Sequence, residues 1–267
     1  MPSRHLRFEL YSIHGHLESG TLDYVKFFTA VAHQLSGIHY EEGPRHIAVG
    51  RSIYTGQYLF LLAYTGYSEK SILFFDVNTQ SELHTATEAG KFQARKTHAL
   101  IAPRQRLLLI ESRRGHLHPD DLADILESIA KQIPEFSTLE LSFNPVVDED
   151  FLKQIDQLKR VQSATISLAR PNVDWTDRHH QLTEVASESD AKALDVTVRS
   201  KRGKSLAKDA GLIEFIKQFA GLSMSVFKRI SITGSRDDDA GLITLNLSKH
   251  IQHLDTVVET DPVPAAT

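Results

Sequence analysis

The sequence has no cysteine, so disulfides, thiolate zinc sites and cysteine nucleophiles are all excluded. It has no apolar run long enough for a membrane-spanning helix, and the residues after Met1 lack the apolar core of a signal peptide. These absences predict a soluble, cytoplasmic protein. What remains is ordinary globular composition, with 41% hydrophobic and 24% charged residues in 267, enough to form a sizeable core.

The first half has the residue pattern of an antiparallel sheet with a helix. Leu6 to Tyr11 alternates apolar and polar residues, which predicts a half-buried strand. A helix is predicted from Leu22 to Leu35, with Thr21 or Asp23 as its N-cap and Gly37 at its end. Further strands are expected at 47–54, 58–64, 71–77, 98–101 and 107–110, with a loop or short element at 80–94.

The second half alternates between helical and strand periodicity. Pro119 and Asp120 open a helix, and strands are predicted at 138–143, 161–168, 193–199, 226–233 and 241–246. Helices are predicted at 148–159, 177–190 and 206–219. The expected fold class is therefore α+β with two domains: a β-rich N-terminal domain (1–115), a C-terminal α+β domain (116–260) and a disordered tail (261–267).

Familiar catalytic and cofactor motifs are missing from the sequence. Gly203-Lys204-Ser205 resembles the end of a phosphate-binding loop, but the glycine needed five positions earlier is Val198. The close histidine pairs lack the spacing of a metal-binding helix, and Asp237-Asp238-Asp239 is typical of a hairpin tip. We therefore expect no catalytic residue, no metal site and no cofactor.

One enzymatic alternative remains open. Asp76 and Glu111 each lie near the end of a predicted strand, as the carboxylates of some magnesium-dependent nucleases do. Arg113 stands where such sites carry a lysine, and arginine is a poor general base. A structural carboxylate at the end of a strand is the favoured interpretation.

Two segments are strongly basic although the whole chain carries a net charge of −4. Between Lys91 and Leu117 there are seven Lys or Arg and one acid, giving 7 − 1 = +6. Its cations include Arg104, Arg106, Arg113 and Arg114. The second segment holds Arg199, Lys201, Arg202, Lys204 and Lys208 without any acid. Either segment alone is typical of a solvated loop, whereas the two together leave polyanion binding and a solvated surface as equal alternatives.

The second basic segment also has useful local chemistry. Asp195, Thr197 and Arg199 fall on the outward register of one strand, and Gly203 permits a tight turn. If Ser205 caps a helix starting near Leu206, backbone N–H groups beside Lys204 would favour a phosphate. Aromatic residues are scarce nearby, so contact with a duplex backbone is the better expectation than base stacking.

With these elements in place, the chain resembles the RexA-type phage-exclusion proteins of temperate phages. The resemblance covers most of the chain as a pattern of elements. It is carried by Phe8-Glu9-Leu10-Tyr11 with the helix through Phe27-Phe28, Ile47-Ala48-Val49-Gly50 with Tyr58-Leu59-Phe60-Leu61, Ala99 to Glu111, Asp120-Asp121-Leu122 with Ile125-Leu126, Asp195-Val196-Thr197, and Leu206 to Phe219.

The resemblance implies a dimeric two-domain protein that binds DNA without sequence preference, acts in phage exclusion and has a fold related to the recombination-associated protein RdgC. Combined with the basic segments, it predicts a non-enzymatic binder of duplex DNA in a prophage or bacterial anti-phage system, with no cofactor. The alternatives are a nuclease using Asp76 and Glu111, and a protein-interaction module of a defence system.

Overall fold

The fold is known from a computed structural model that describes residues 3–18, 20–42, 44–68, 71–76, 81–86, 91–169, 193–220, 227–237 and 241–259. The predicted helix at 177–190 and the predicted tail at 261–267 lie outside these residues. The helices are α1 (Tyr24–Leu35), α2 (Pro119–Ala130), α3 (Glu149–Gln157) and α4 (Gly211–Ala220). The strands of the first half are β1 (Ser3–His16), β2 (His39–Glu42), β3 (Arg45–Tyr54), β4 (Leu59–Tyr67), β5 (Ser71–Asp76), β6 (Ser81–Ala86), β7 (Arg95–Ala102) and β8 (Leu107–Glu111). Those of the second half are β9 (Glu140–Pro145), β10 (Arg160–Ala169), β11 (Ala193–Arg199), β12 (Phe227–Ser235), β13 (Ile243–Asn246) and β14 (His253–Glu259).

An eight-stranded antiparallel sheet forms the larger unit. Its order is β14-β1-β8-β7-β4-β3-β2, and β9 also pairs with β1. The long strand β1 makes this possible, because Ser3–Glu9 pairs with β14 while Tyr11–His16 pairs with β9. Strands β5 and β6 form a separate two-stranded sheet.

Two amphipathic helices supply the rest of the first core. The Asp23 carboxylate accepts a hydrogen bond from the Lys26 amide (3.0 Å) and so starts α1. Helix α2 begins with Pro119 at its first position, and a capping box joins His118 to Asp121. The inward faces of both helices are fully buried in one cluster with the sheet, including Phe27, Phe28, Leu35, Leu122, Ile125 and Leu126.

The smaller unit is a four-stranded antiparallel sheet with helices α3 and α4 in its core. Its strand order is β11-β10-β12-β13. Alternate residues of β10 and β12, such as Ile166 and Ile230, are buried with Phe151 of α3 and Ile216 of α4. The helical residues and one face of the sheet form a single core, so the structure is α+β in both units.

The packing divides the chain at a different place from the sequence prediction. The prediction separated 1–115 from 116–260, yet α2 and β9 are buried in the first core. The second core begins at Val147. Strand β14 then returns to pair with β1. The boundary differs because β1 is long enough to pair along one edge with two strands of the second half, β9 and β14. These long-range pairs place parts of the second half in the larger unit.

Most of the predicted elements are confirmed, with some differences. Residues 80–94 contain β6, while β2 and β14 were not predicted. The predicted helix start near Leu206 is wrong, because α4 begins at Gly211. Among the described residues, no helix combines the length and the apolar character that crossing a membrane requires.

Candidate nucleic-acid interface

One end of the smaller sheet gathers strand termini that are far apart in the sequence. The antiparallel pairing places Arg160, at the start of β10, opposite Ser235 at the end of β12. It places Ser163 opposite Arg199, the last residue of β11. The chain segments before β10, after β11 and after β12 therefore leave the sheet at the same end.

The basic loop after β11 (residues 200–208) runs back along the start of β10. The Ser200 amide donates to the Gln162 carbonyl (2.7 Å), and the Leu206 amide donates to the Val161 carbonyl (2.8 Å). Between them, Gly203 adopts φ = +76°, which confirms the tight turn expected there. These bonds hold the exposed side chains of Lys201, Arg202 and Lys204 along the sheet end.

The predicted phosphate site at a helix N-terminus is not formed. Ser205 uses its hydroxyl to accept from the Val161 amide (2.9 Å) and to donate to the Leu206 carbonyl, so it caps no helix. Pairing of this segment with β10 delays the helix until Gly211. Lys208 donates from Nζ to the Asp156 carbonyl (3.0 Å) in the last turn of α3, which gives it a structural role.

Two arginines that the sequence analysis missed lie at the same sheet end. Arg160 donates from Nε to the Lys204 carbonyl (3.2 Å), and the exposed Arg236 directly follows Ser235. We define the basic end as the six residues Arg160, Arg199, Lys201, Arg202, Lys204 and Arg236. The exposed Asp237 lies beside it, whereas Asp238 and Asp239 fall outside the described residues. The convergence follows once the pairing of β10 with β12 is known. These strands are far apart in the sequence, and local sequence patterns do not specify that they pair.

The face of the smaller sheet opposite its core is open and rich in hydroxyl groups. Its cross-strand rows begin at the basic end, where Arg199, Ser163, Thr233 and Thr244 lie side by side. The next row is Thr197, Thr165, Ser231 and Asn246. Hydroxyl pairs bridge these strands on the surface, at 3.0 Å for Thr165 with Thr197 and 3.1 Å for Thr233 with Thr244. Side chains of this kind are frequent donors to phosphate oxygens.

At its far end, the open face leads into a cleft between the two units. The cleft has a volume of about 420 Å³ and is lined from the smaller sheet by Ser167, Arg229 and Asn246. Tyr11 and Pro119 line it from the larger unit. Burial, together with the neighbouring Glu9, raises the pKa of Tyr11, whose hydroxyl donates to Glu9 (2.7 Å). The Tyr11 hydroxyl that lines the cleft is therefore protonated and uncharged at neutral pH.

The four arginines of the other predicted surface do not form one patch. Arg104 and Arg106 lie in the turn before β8, whereas Arg113 and Arg114 follow its end. The two pairs are separated by the five residues of this strand, a distance of about 16 Å. Arg106 packs over the Tyr24 ring (4.6 Å). Arg113 forms an ion pair with Glu111 and donates to the His5 carbonyl. Two of the four are thus engaged within the fold.

The carboxylates of the nuclease alternative are not on neighbouring strands. Asp76 ends β5 in the separate two-stranded sheet, whereas β8 is flanked by β1 and β7. Glu111 is 1% exposed and contacts Arg4 (3.1 Å), His98 Nδ1 (2.8 Å) and Arg113 Nε (3.6 Å). A carboxylate surrounded in this way stabilises the sheet, and the adjacent-strand premise of the nuclease is wrong.

Comparison with known proteins identifies the family of the chain. The family described as a domain of unknown function, DUF4747, matches residues 4–226, and the chain belongs to it. No curated protein matches the sequence.

Proposed function

We propose that this member of the DUF4747 family binds duplex DNA without sequence preference, through phosphate contacts of the basic end. The observation that supports the proposal is the convergence of Arg160 and Arg236 with the basic loop on one sheet end, in a chain whose net charge is −4. Because the whole molecule repels polyanions, a local patch has to supply the attraction.

The composition of the surface favours contact with the backbone over reading of bases. The basic end presents flexible lysines and arginines, and the adjoining rows of the open face present hydroxyls such as Thr165 and Thr233. No aromatic side chain occupies those rows of the described sheet, which argues against stacking of single-stranded bases. A phosphate-directed surface of this kind carries no sequence information by itself.

Salt dependence provides a quantitative test of the proposal. Each neutralised phosphate releases condensed counterions, so the slope of log K against log [salt] is about −0.9 per contact. If all six residues of the basic end contacted phosphates, the slope would approach about −5. We expect a slope between about −3 and −5 for a random duplex.

The experiment is a fluorescence-anisotropy titration of a random duplex at several salt concentrations. The test variant carries Lys201→Ala, Arg202→Ala and Lys204→Ala. Its matched control removes the same charge elsewhere, with exposed Lys26, Lys131 and Lys153 changed to Ala. Loss of binding and a shallower slope only in the test variant would support the proposal. Equal loss in both variants would indicate a general charge effect and would contradict it.

A second variant tests the other predicted surface separately. Arg104→Ala with Arg114→Ala changes residues on opposite ends of β8, leaving the ion pair of Arg113 with Glu111 in place. We expect nearly unchanged binding, since these cations do not adjoin the basic end. Failure of the folded wild-type protein to bind any DNA would overturn the proposal and favour the protein-interaction alternative.

The biological setting in the proposal rests on the resemblance to RexA-type proteins. We propose that the protein acts in phage exclusion and as a homodimer. Plating efficiency of phages on cells that carry the wild-type or the triple variant tests the first part. Light scattering of the purified chain across a concentration series tests the second, and a monomeric mass throughout would contradict it.

A further inference from the structure

Three potential metal ligands meet on the edge hairpin of the larger sheet. His39 Nε2 and His46 Nδ1 are joined by a 3.0 Å hydrogen bond, and Glu41 Oε1 lies 3.6 Å from the first nitrogen and 3.4 Å from the second. We call these three residues the β2–β3 site. All three ligand atoms lie within 4.8 Å of one another.

The pairing of β2 with β3 explains why these side chains meet. Glu41 lies directly opposite His46 in the register, so both side chains project from the same face of the hairpin. His39 is two residues before Glu41 on the same strand and therefore shares that face. The two ring planes are within 9° of parallel, and the ring centroids are 5.2 Å apart.

The spacing of the ligand atoms is close to that around a tetrahedral zinc ion. Zinc bonds of about 2.0–2.2 Å at tetrahedral angles separate neighbouring ligand atoms by about 3.3–3.6 Å. The 3.4 and 3.6 Å distances from Glu41 Oε1 agree with that range, whereas the 3.0 Å distance between the two ring nitrogens is shorter because they are hydrogen-bonded to each other. A bound ion would replace the hydrogen bond between the two rings, which requires the exposed His39 side chain to turn Nε2 toward the ion. The fourth position would stay open to water.

The surroundings of His46 fix its ring so that Nδ1 faces the other two ligands. Its Nε2 is hydrogen-bonded to the Ser68 hydroxyl, and its ring stacks on Phe92 at 5.3 Å. Only 11% of the His46 side chain is exposed, compared with 46% for His39. Bonding of the remote ring nitrogen to a second residue is the usual way in which proteins orient a metal-binding histidine.

We propose that the β2–β3 site binds Zn²⁺ through His39 Nε2, Glu41 Oε1 and His46 Nδ1. Two imidazoles and one carboxylate suit zinc and related transition ions, whereas Mg²⁺ and Ca²⁺ require oxygen ligands. Strand β2 is the last strand of the sheet, so a bound ion would fasten this edge strand to β3. The site is independent of the basic end and of DNA binding.

The test is isothermal titration of the tag-free protein with ZnCl₂, supported by the visible absorption of bound Co²⁺. We expect one site in the wild type, with His39→Ala abolishing it and Glu41→Gln weakening it at least tenfold. Ser68→Ala should weaken it by about 10- to 100-fold, because Ser68 orients His46. His33→Ala, an exposed histidine of α1, serves as the matched control and should bind like the wild type.

The melting temperature gives a second measure of zinc binding, one that does not require the absorption spectrum of Co²⁺. Because Zn²⁺ would bind the folded chain, it should raise the Tm of the wild type and of His33→Ala but not of His39→Ala. Circular dichroism establishes that each variant is folded. Absence of zinc binding by the folded wild type would overturn the proposal, and so would unchanged binding by His39→Ala.

Discussion

Arg45 and Asp121 form a two-pronged ion pair that joins β3 to the first turn of α2. Both contacts, Nη1 to Oδ1 and Nη2 to Oδ2, measure 2.6 Å, and the Asp121 side chain is only 12% exposed. Asp121 Oδ2 also accepts from the His118 amide (2.8 Å) as part of the capping box. One carboxylate therefore fixes the helix start and its attachment to the sheet.

Asp121→Ala should destabilise the protein more than Arg45→Ala does. The aspartate loses the ion pair and the cap together, for which we expect about 3 kcal/mol against about 2 kcal/mol for the arginine. Urea denaturation measures both. Lys26→Ala is the matched control, since its 2.6 Å pair with Glu135 is more than half exposed and should contribute less than about 1 kcal/mol. Equal effects of all three variants would contradict this account.

Glu111→Ala should lower stability because it removes a buried carboxylate that pairs with the half-buried side chains of Arg4 and Arg113. We expect a loss of about 2–3 kcal/mol, measured by chemical denaturation, because the cations that remain can be solvated. The wild type should not cut DNA when magnesium is added. A Glu111→Ala protein with wild-type stability would contradict this structural role. Magnesium-dependent cleavage by the wild type that Glu111→Ala stops would support the nuclease alternative.

His116 should make the protein less stable in mild acid. Burial lowers its pKa, and Arg113, Arg4 and Arg95 lower it further, while Glu111 raises it. As the pH falls below the ordinary histidine pKa of about 6.5, the unfolded chain takes up a proton before the folded chain does. Stability should therefore decline until the folded pKa is reached.

The measurement is the urea midpoint of the wild type and of His116→Gln between pH 7.5 and pH 5. The variant should lose less stability over this range, because it removes the group that is protonated preferentially in the unfolded chain. His33→Gln on the exposed face of α1 is the control. An identical pH profile for the wild type and His116→Gln would show that His116 contributes nothing to acid sensitivity.

Gly234→Ala should destabilise the smaller unit because the added methyl group would collide with the backbone of the neighbouring strand β10, which cannot move aside as a side chain can. A Cβ at this position would lie 2.3 Å from the Arg160 carbonyl oxygen and 3.2 Å from Leu158 Cδ1. We expect a loss of about 1–3 kcal/mol in thermal or chemical unfolding. Gly241→Ala, whose Cβ would meet nothing within 4 Å, is the matched control and should change stability little.

The local elements could be predicted from the sequence, while their partners could not. The amphipathic spacing of Phe27 to Leu35 predicts α1, and Asp23 is its cap as expected. Ser205 and Leu206, by contrast, have the local pattern of a helix start, yet their bonds to Val161 make them part of a sheet edge. A tertiary contact outweighed a weak local preference.

The candidate sites show the same division. Lys201, Arg202 and Lys204 stand out as a basic run in the sequence, whereas Arg160 and Arg236 join them only through the strand register. His39 and His46 are seven residues apart and show no metal-binding spacing. The hairpin pairing brings their ring nitrogens to 3.0 Å, which periodicity alone could not indicate.

The sequence by itself determined the α+β class, most of the helices and strands, the absence of thiol chemistry and the location of the basic loop. These follow from composition and short-range periodicity, which act within a few residues. Only the tertiary structure decided that β9 and β14 share the edge of β1, that Glu111 is enclosed by Arg4, His98 and Arg113, and that three chain segments meet at the basic end. Those outcomes depend on which distant strands pair, and the free energy of that choice comes from burying whole faces against one another.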